Sequence, residues 1–320
     1  MSSDLLTVNN FAAYYETLAG SVKAVDGVDF TVGKKEIFGI AGESGSGKST
    51  LARAILRLLE PPAEIKHGEV MFGDTDLASI DEEALRGLRG SQITYIPQSS
   101  MNALNPVMKV GKQFADVILT HNKWSRAKTR ELTERLLRLV GLSAGCADMY
   151  PHELSGGMRQ RAVISISMIL HPQLIVADEI TTALDVVTQR GILQALTDVR
   201  DDFGASIISI THDLAVHAEI ADRLLVMYAG KVAEIGAINE LFDDPLHPYS
   251  QVLVASIPSI EDRKVLKELV GRPPNLIDPP SGCRFHPRCP KALEICSKVE
   301  PPMVTQSERR FVSCHLYGET

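Results

Sequence analysis

One stretch constrains this chain more than any other. Gly42-Glu43-Ser44-Gly45-Ser46-Gly47-Lys48-Ser49-Thr50 follows the apolar run Ile37-Phe38-Gly39-Ile40-Ala41 and precedes a helix-compatible run from Leu51 to Leu59. A strand, a glycine-rich loop and a helix in that order are the setting a phosphate-binding loop requires. The glycines let the backbone turn tightly and point successive N–H groups inward, making a concave anion site at a helix N-terminus. Lys48 would reach the β- and γ-phosphates of a nucleotide, and the Ser49 hydroxyl would hold Mg²⁺. A glycine-rich turn that happens to contain Lys-Ser is the competing account of the motif taken alone.

The 320 residues can bury one sizeable core plus a smaller unit. Apolar content of 44% with 23% charged is ordinary for a soluble globular protein. No apolar run approaches the ~20 residues that span a bilayer, and Met1-Ser2-Ser3-Asp4 lacks the basic start and apolar block of a secretory signal. A net charge of −7 argues against broad binding to nucleic acid or anionic membranes. A cytoplasmic protein is expected.

The order of apolar runs predicts alternating strands and helices. Residues 5–41 are strand-rich, with Gly20, Gly27 and Gly33 as breaks; 68–74 looks like a hairpin arm, and 92–97 is a strand ending at Gln98. From about 99 to 171 the pattern turns helical. Ser125 can cap a helix with Leu132, Leu136 and Leu139 on one face, ending at Gly141. Leu154-Ser155-Gly156-Gly157 opens another, Met158 to Leu170. The buried-type strand Leu174-Ile175-Val176-Ala177 runs into Asp178-Glu179, and a helix from Val187 to Asp201 leads to a strand at 206–210 and then Thr211-His212. The implied fold is a mostly parallel, doubly wound α/β sheet with a helical insertion.

Several residues stand where such sheets bind ligands. Asp178, at the carboxyl end of a strand, can organise Mg²⁺ and its waters opposite Ser49. Glu179 can polarise an attacking water. His212 can hydrogen-bond a γ-phosphate and stabilise transition-state charge. Gln98 can contact Mg²⁺ or the water. Taken singly, an acidic helix cap and a structural histidine account for these residues as well. Ser155, Gly156 and Gly157, at the start of a helix, make a second anion site. One chain rarely needs two cradles for one nucleotide; two chains arranged head-to-tail do.

In order, these elements resemble the ATP-binding subunits of ABC transporters. Residues 42–50 match Walker A, Gln98 the Q-loop, 154–161 the signature, and 174–178 with Glu179 the Walker B region. Thr182-Ala183-Leu184-Asp185 matches the D-loop and His212 the H-loop. Met101-Asn102-Ala103-Leu104-Asn105-Pro106, the Met-Arg form of the signature, His247-Pro248-Tyr249-Ser250 and the tail 282–289 resemble the oligopeptide/dipeptide importer branch. Ile180 departs from the pattern, which has proline there.

The resemblance implies a RecA-like core with an antiparallel β subdomain (1–98 and 172–240), an inserted helical subdomain (99–171) and a loop-rich C-terminal metal-binding extension (241–320). It implies an ATPase in which two subunits sandwich two ATP molecules between Walker A of one and the signature of the other. Gly42, Glu43, Ser44, Gly45, Ser46, Gly47, Lys48, Ser49, Thr50 and Asp185 would then contact nucleotide, and Tyr15, with Tyr14 second, would stack on adenine. Gln98 with 99–106 would meet the loops of two permease subunits. A second, related ATP-binding chain and, indirectly, an extracytoplasmic binding protein complete the expected assembly, on the cytoplasmic face of the membrane and without nucleic acid. Import of oligosaccharides or nickel by the same branch, or a soluble ABC ATPase acting on nucleic acid or ribosomes, are the alternatives.

Four of the five cysteines, Cys283, Cys289, Cys296 and Cys314, fall in the last 38 residues, and 11 of 17 prolines lie beyond residue 240. The cysteines are separated by five, six and seventeen residues, without the tight pairs usual for structural zinc. Four loop thiolates can hold a [4Fe–4S] cluster, and the importer branch resembled here carries one. Between 283 and 315 six Arg/Lys face three Glu, a balance that would compensate a negative cluster. An iron–sulfur cluster stapling a segment poor in core is the expectation, with zinc or unliganded thiols as alternatives.

Overall fold

A computed structural model of the chain describes residues 4–98, 103–121, 124–182, 185–257 and 271–318. In chain order the elements begin with β1 (Asp4–Thr17), β2 (Gly20–Gly33), β3 (Ile37–Ala41), α1 (Lys48–Ile55), β4 (Ala63–Phe72) and β5 (Thr75–Asp76). Next come α2 (Glu82–Leu88), β6 (Ile93–Ile96), α3 (Val110–His121), α4 (Arg126–Leu139), α5 (Gly156–Ser167), β7 (Leu174–Asp178), α6 (Val186–Phe203) and β8 (Ser206–Ile210). The chain closes with α7 (Leu214–Ile220), β9 (Arg223–Tyr228), β10 (Lys231–Ala237), α8 (Ile238–Asp243), α9 (Pro248–Ala255), β11 (Met303–Ser307) and β12 (Arg310–Ser313). The described residues within 1–33, 37–80 and 210–320 gather into one compact unit, and those within 34–36 and 81–209 into another. Among the described residues no helix is long and apolar enough to cross a membrane.

In the first unit β1 and β2 form a long hairpin joined at Thr17↔Gly20, and β4 and β5 extend it into a sheet ordered β2-β1-β4-β5. Apolar cross-strand pairs drive it: Val8, Phe11 and Ala13 of β1 stand opposite Phe30, Val28 and Val25 of β2, with register shifts between the pairs that interrupt strict alternation. A second run pairs β3 parallel to β9 and then turns antiparallel through β10, β12 and β11. The sheet is therefore mixed rather than mostly parallel. The reason is local: the link from β9 to β10 is the pair Ala229-Gly230, at φ 47° and 84°. A two-residue turn with both φ positive can only fold the chain back antiparallel.

The C-terminal region has more structure than a loop-rich tail. It contains α8 and α9, and the β11–β12 hairpin, which pairs with β10 at Ile235↔Phe311. Phe285 is buried against Tyr228 and Tyr249, with ring centroids 5.1 and 5.4 Å apart, and Leu276, Cys283 and Cys289 pack on the same core.

In the second unit β6 and β7 are parallel and in register from Ile93↔Leu174 to Ile96↔Ala177. Ser125 caps α4 by accepting from the Lys128 N–H at 3.3 Å. The buried face of α4 is Leu132, Leu136 and Leu137, with Leu139 only half-buried. A stripe drifts around a 3.6-residue helix, so its last member changes.

Candidate functional site: the phosphate-loop and carboxylate segments

All five residues of β3 are buried, so the strand delivers residue 42 rigidly to the end of the first unit's sheet. Gly42 and Gly47 both take backbone angles that only glycine adopts without strain, φ 148° and 104°. A Cβ at Gly42 would sit 2.1 Å from the Met227 carbonyl oxygen, and one at Gly47 would sit 2.0 Å from that of Ala24. Gly45, at φ 79°, faces open space. No side chain caps α1, so its leading N–H groups remain directed out of the helix start. The buried Lys48 curls over the loop: its Nζ donates to the Gly42 carbonyl at 2.8 Å, the Glu43 carbonyl at 2.9 Å and Ser46 Oγ at 3.4 Å. Ser44 and Gly45 are exposed, Ser49 half-buried and Thr50 buried. A narrow backbone cradle at a helix start with one lysine fits a nucleotide's phosphates.

The hydroxyls of Tyr15 and Thr50 lie 3.2 Å apart, which ties the half-buried Tyr15 to α1. Tyr14 instead donates to Asp26 at 2.6 Å; burial and that bond push its phenol up to about 12. His212 is exposed just after β8, in a turn fixed by its neighbours. The Asp213 N–H donates to Thr211 Oγ1 at 3.0 Å, and the Asp213 carboxylate caps α7 through the Ala215 N–H at 2.9 Å.

In the second unit Asp178 is the buried last residue of β7, and it accepts from the Tyr95 hydroxyl at 3.0 Å. Glu179 turns out of the strand at φ 48°, and its carboxylate accepts from Gln98 Nε2 at 2.5 Å and Thr182 Oγ1 at 3.4 Å. The strand register explains the meeting: Ile96 stands opposite Ala177, so Gln98 and Glu179 each lie two residues beyond a level pair. Ser155 caps α5 through the Met158 N–H at 3.3 Å, with Gly156 and Gly157 in the first turn. A Cβ on Gly157 would lie 2.4 Å from Thr188 Cγ2. Asp185 caps α6, accepting from the Thr188 N–H at 2.9 Å and Thr188 Oγ1 at 2.6 Å; these bonds hold its carboxyl below the usual range. Residues 99–102 of the expected permease-contacting stretch, and Ala183 and Leu184 of the D-loop, lie outside the described residues.

The expected metal centre is corrected. Among the described residues, which include Cys283, Cys289, Cys296 and Cys314, no group of three or more His, Cys, Asp or Glu side chains is placed to hold a metal ion. The [4Fe–4S] cluster and its zinc alternative are withdrawn, and with them the metal-binding character of the C-terminal extension. The four thiols are unpaired by disulfides; burial pushes Cys283 up to about 11 and raises Cys289 and Cys314. The premise of a coreless segment also fails, because Phe285 alone buries a full aromatic side chain, on the order of 2–3 kcal/mol of burial. The basic surplus has another use. Arg284 pairs with Asp26, and Arg288 forms two hydrogen bonds to Glu43, at 2.8 and 3.0 Å.

That last contact, with Tyr249 on the Glu43 backbone, was missed from the sequence. Tyr249, Arg284 and Arg288 all fall in segments set apart by resemblance, but no spacing rule connects residue 43 with residues 206 and 245 positions away.

Residues 25–182 match the ABC transporter family, and residues 233–296 match the oligopeptide/dipeptide transporter C-terminal region. The chain is 43% identical over 317 residues to the oligopeptide transport ATP-binding protein OppD of Bacillus subtilis, covering 98% of this chain and 88% of that one. It is 39% identical over 320 residues to the dipeptide transport ATP-binding protein DppD of Caldanaerobacter subterraneus, covering 99% and 98%. Among solved structures, the dimeric bacterial ABC transporter cassette MJ0796 superposes with a TM-score of 0.66 at 26% identity, over 73% of this chain and 98% of that one. Near-complete alignment with these relatives, and agreement of both the cassette and the C-terminal region, lead to one conclusion: the chain belongs to the ABC transporter ATP-binding proteins, in the oligopeptide/dipeptide transport branch.

Proposed function

We propose that this chain is the ATP-hydrolysing motor subunit of a membrane importer for di- and oligopeptides. The observation that carries the reading is the match at both ends of the chain, a cassette at 25–182 and the oligopeptide/dipeptide region at 233–296. The cargo follows from the relatives' names, OppD and DppD, which share about two-fifths of its residues.

In this reading the loop 42–50 binds the nucleotide's phosphates through backbone N–H groups and Lys48, and Tyr15 stacks on adenine. Ser49, Gln98 and Asp178 would hold Mg²⁺, which supplies charge neutralisation on the phosphates. Glu179 accepts a proton from the attacking water, Gln98 orients that carboxylate, and His212 donates to the γ-phosphate. Ser155, Gly156, Gly157 and Asp185 serve the nucleotide of a second cassette, which we take to be a related chain. Two permease subunits receive the motion of residues 99–171, and the complex sits on the cytoplasmic face of the membrane.

The test is a tagged pull-down from native membranes in gentle detergent, with co-purifying chains identified by mass spectrometry. Two permease chains, a second cassette and a binding protein are expected. Ribosomal proteins or nucleic acid without any membrane chain would overturn the importer reading.

A further inference from the structure

Glu43, the second residue of the phosphate loop, is held at three points. Its N–H donates to Tyr249 Oη at 2.8 Å, its carbonyl accepts from Lys48 Nζ at 2.9 Å, and its carboxylate takes both hydrogen bonds from Arg288. Tyr249 is fully buried. The Arg288 side chain is 6% exposed, and it also donates to Tyr228 Oη at 3.2 Å. Nearby, Arg284 donates to the Ala229 carbonyl at 2.5 Å, and the adjoining Gly230 N–H donates to the Ser46 carbonyl at 2.9 Å. The C-terminal region thus holds the loop at Glu43 directly and at Ser46 through one turn.

We propose that Arg288 is a positioning residue of the nucleotide site: acting through Glu43, it sets the carbonyl that holds Lys48 and so tunes affinity for the nucleotide's phosphates. The proposal rests on the reading that residues 42–50 bind nucleotide. The physical warrant is rigidity. A planar guanidinium that meets a carboxylate through two parallel bonds fixes orientation as well as distance, which a lysine cannot do. With the Tyr249 bond added, the peptide on either side of Glu43 is restrained, and Lys48 Nζ is aimed by a carbonyl with little freedom to move. Misplacement of a phosphate ligand by a fraction of an ångström is enough to weaken binding.

The experiment compares full-length wild type with Arg288→Ala, Arg288→Lys, Glu43→Ala and the Glu43→Ala/Arg288→Ala double variant. Mg-ADP is titrated by calorimetry, with the fitted stoichiometry giving the folded fraction. Arg288→Ala is expected to raise the Kd about tenfold at full stoichiometry, and Arg288→Lys to recover only part of the loss. The double variant is expected to be no weaker than Arg288→Ala, since both changes cut one link. A lower melting temperature with an unchanged Kd would make Arg288 only a staple for the C-terminal region and overturn the proposal. Additive losses in the double variant would do so as well. Lys48→Ala tests the underlying reading separately: it should lose Mg-ADP binding, and wild-type affinity there would remove the site itself.

Discussion

Gln98 donates its side-chain amide to the carboxylate of Glu179 at 2.5 Å, across the parallel pair β6 and β7. The bond fixes which way the carboxylate faces. Glu179 itself leaves its strand with a left-handed backbone, φ 48°, a conformation an L-residue adopts at a cost of roughly 1–2 kcal/mol. Strain of this sort persists where surrounding contacts over-determine it. Glu179→Gln retains the shape and a hydrogen-bond partner for Gln98 but removes the basic oxygen. Mg-ATP binding should therefore stay near wild type while phosphate release falls by about 10²–10⁴. Undiminished hydrolysis at saturating ATP would refute the role of Glu179 as base.

The elements of this site were legible wherever the information is local. The strand endings at Gln98 and Asp178, the cap at Ser125 and the helix opened by Ser155 depend on runs of about ten residues, and each appears in the structure at or within a few residues of its expected place. What the sequence hid is long-range. The antiparallel turn of the sheet after β9 depends on Ala229 adopting φ 47°, for which alanine carries no signal. The clustering of four cysteines and the family resemblance suggested metal, yet the segment is held by Phe285 in an aromatic core and by Arg284 and Arg288 paired with Asp26 and Glu43. The same positive charges fit either partner, and only the fold decides between them.

Gly157 tests how the start of α5 packs on the cap of α6. An alanine Cβ there would sit 2.4 Å from Thr188 Cγ2, while Thr188 Oγ1 is committed to Asp185 at 2.6 Å. To clear the methyl, Thr188 must rotate and give up that bond. Gly157→Ala should then lower stability by up to about 1 kcal/mol: the Thr188 N–H still caps on Asp185, but the lost side-chain hydrogen bond and the crowding outweigh the small propensity gain of a first-turn position. Thr188→Ser keeps the hydroxyl and removes the methyl. In that background Gly157→Ala should stabilise instead. Urea midpoints of the four proteins check the reversal, and the same sign in both backgrounds would refute it.

The glycines of the phosphate loop should not be equivalent. Gly45 and Gly47 both have positive φ, but only Gly47 has a backbone oxygen 2.0 Å from where a Cβ would lie. Gly45→Ala should cost about 1–2 kcal/mol of backbone strain and leave nucleotide affinity within a few-fold. Gly47→Ala must push α1 away from β2, so nucleotide binding should vanish and the unfolding free energy should drop by more than in Gly45→Ala. Equal losses in nucleotide titration and urea unfolding would mean that the close approach to Ala24 does not matter.

His247 makes stability depend on pH. It is fully buried at the cap of α9, where its Nδ1 accepts the Tyr249 N–H at 3.0 Å and must therefore be unprotonated. Burial lowers its pKa from 6.5 to about 4. Glu234, buried beneath it, accepts the N–H groups of Leu246 and His247 and lies 3.6 Å from Arg310, so its charge is already engaged. The folded-state pKa is depressed, so below about 6.5 the unfolded chain binds a proton that the native chain refuses. This contribution is present above pH 6.5 and is lost as pH falls toward 4, at about 1.4 kcal/mol per unit. Asn at position 247 keeps an acceptor for the Tyr249 N–H but cannot titrate. The His247→Asn protein should therefore lose stability more gently between pH 6.5 and 4, by about one proton's worth of slope in chemical denaturation. Identical slopes would show that the ring is not held neutral. The consequence reaches the phosphate loop, because the helix start that His247 caps carries Tyr249, whose hydroxyl receives the Glu43 N–H.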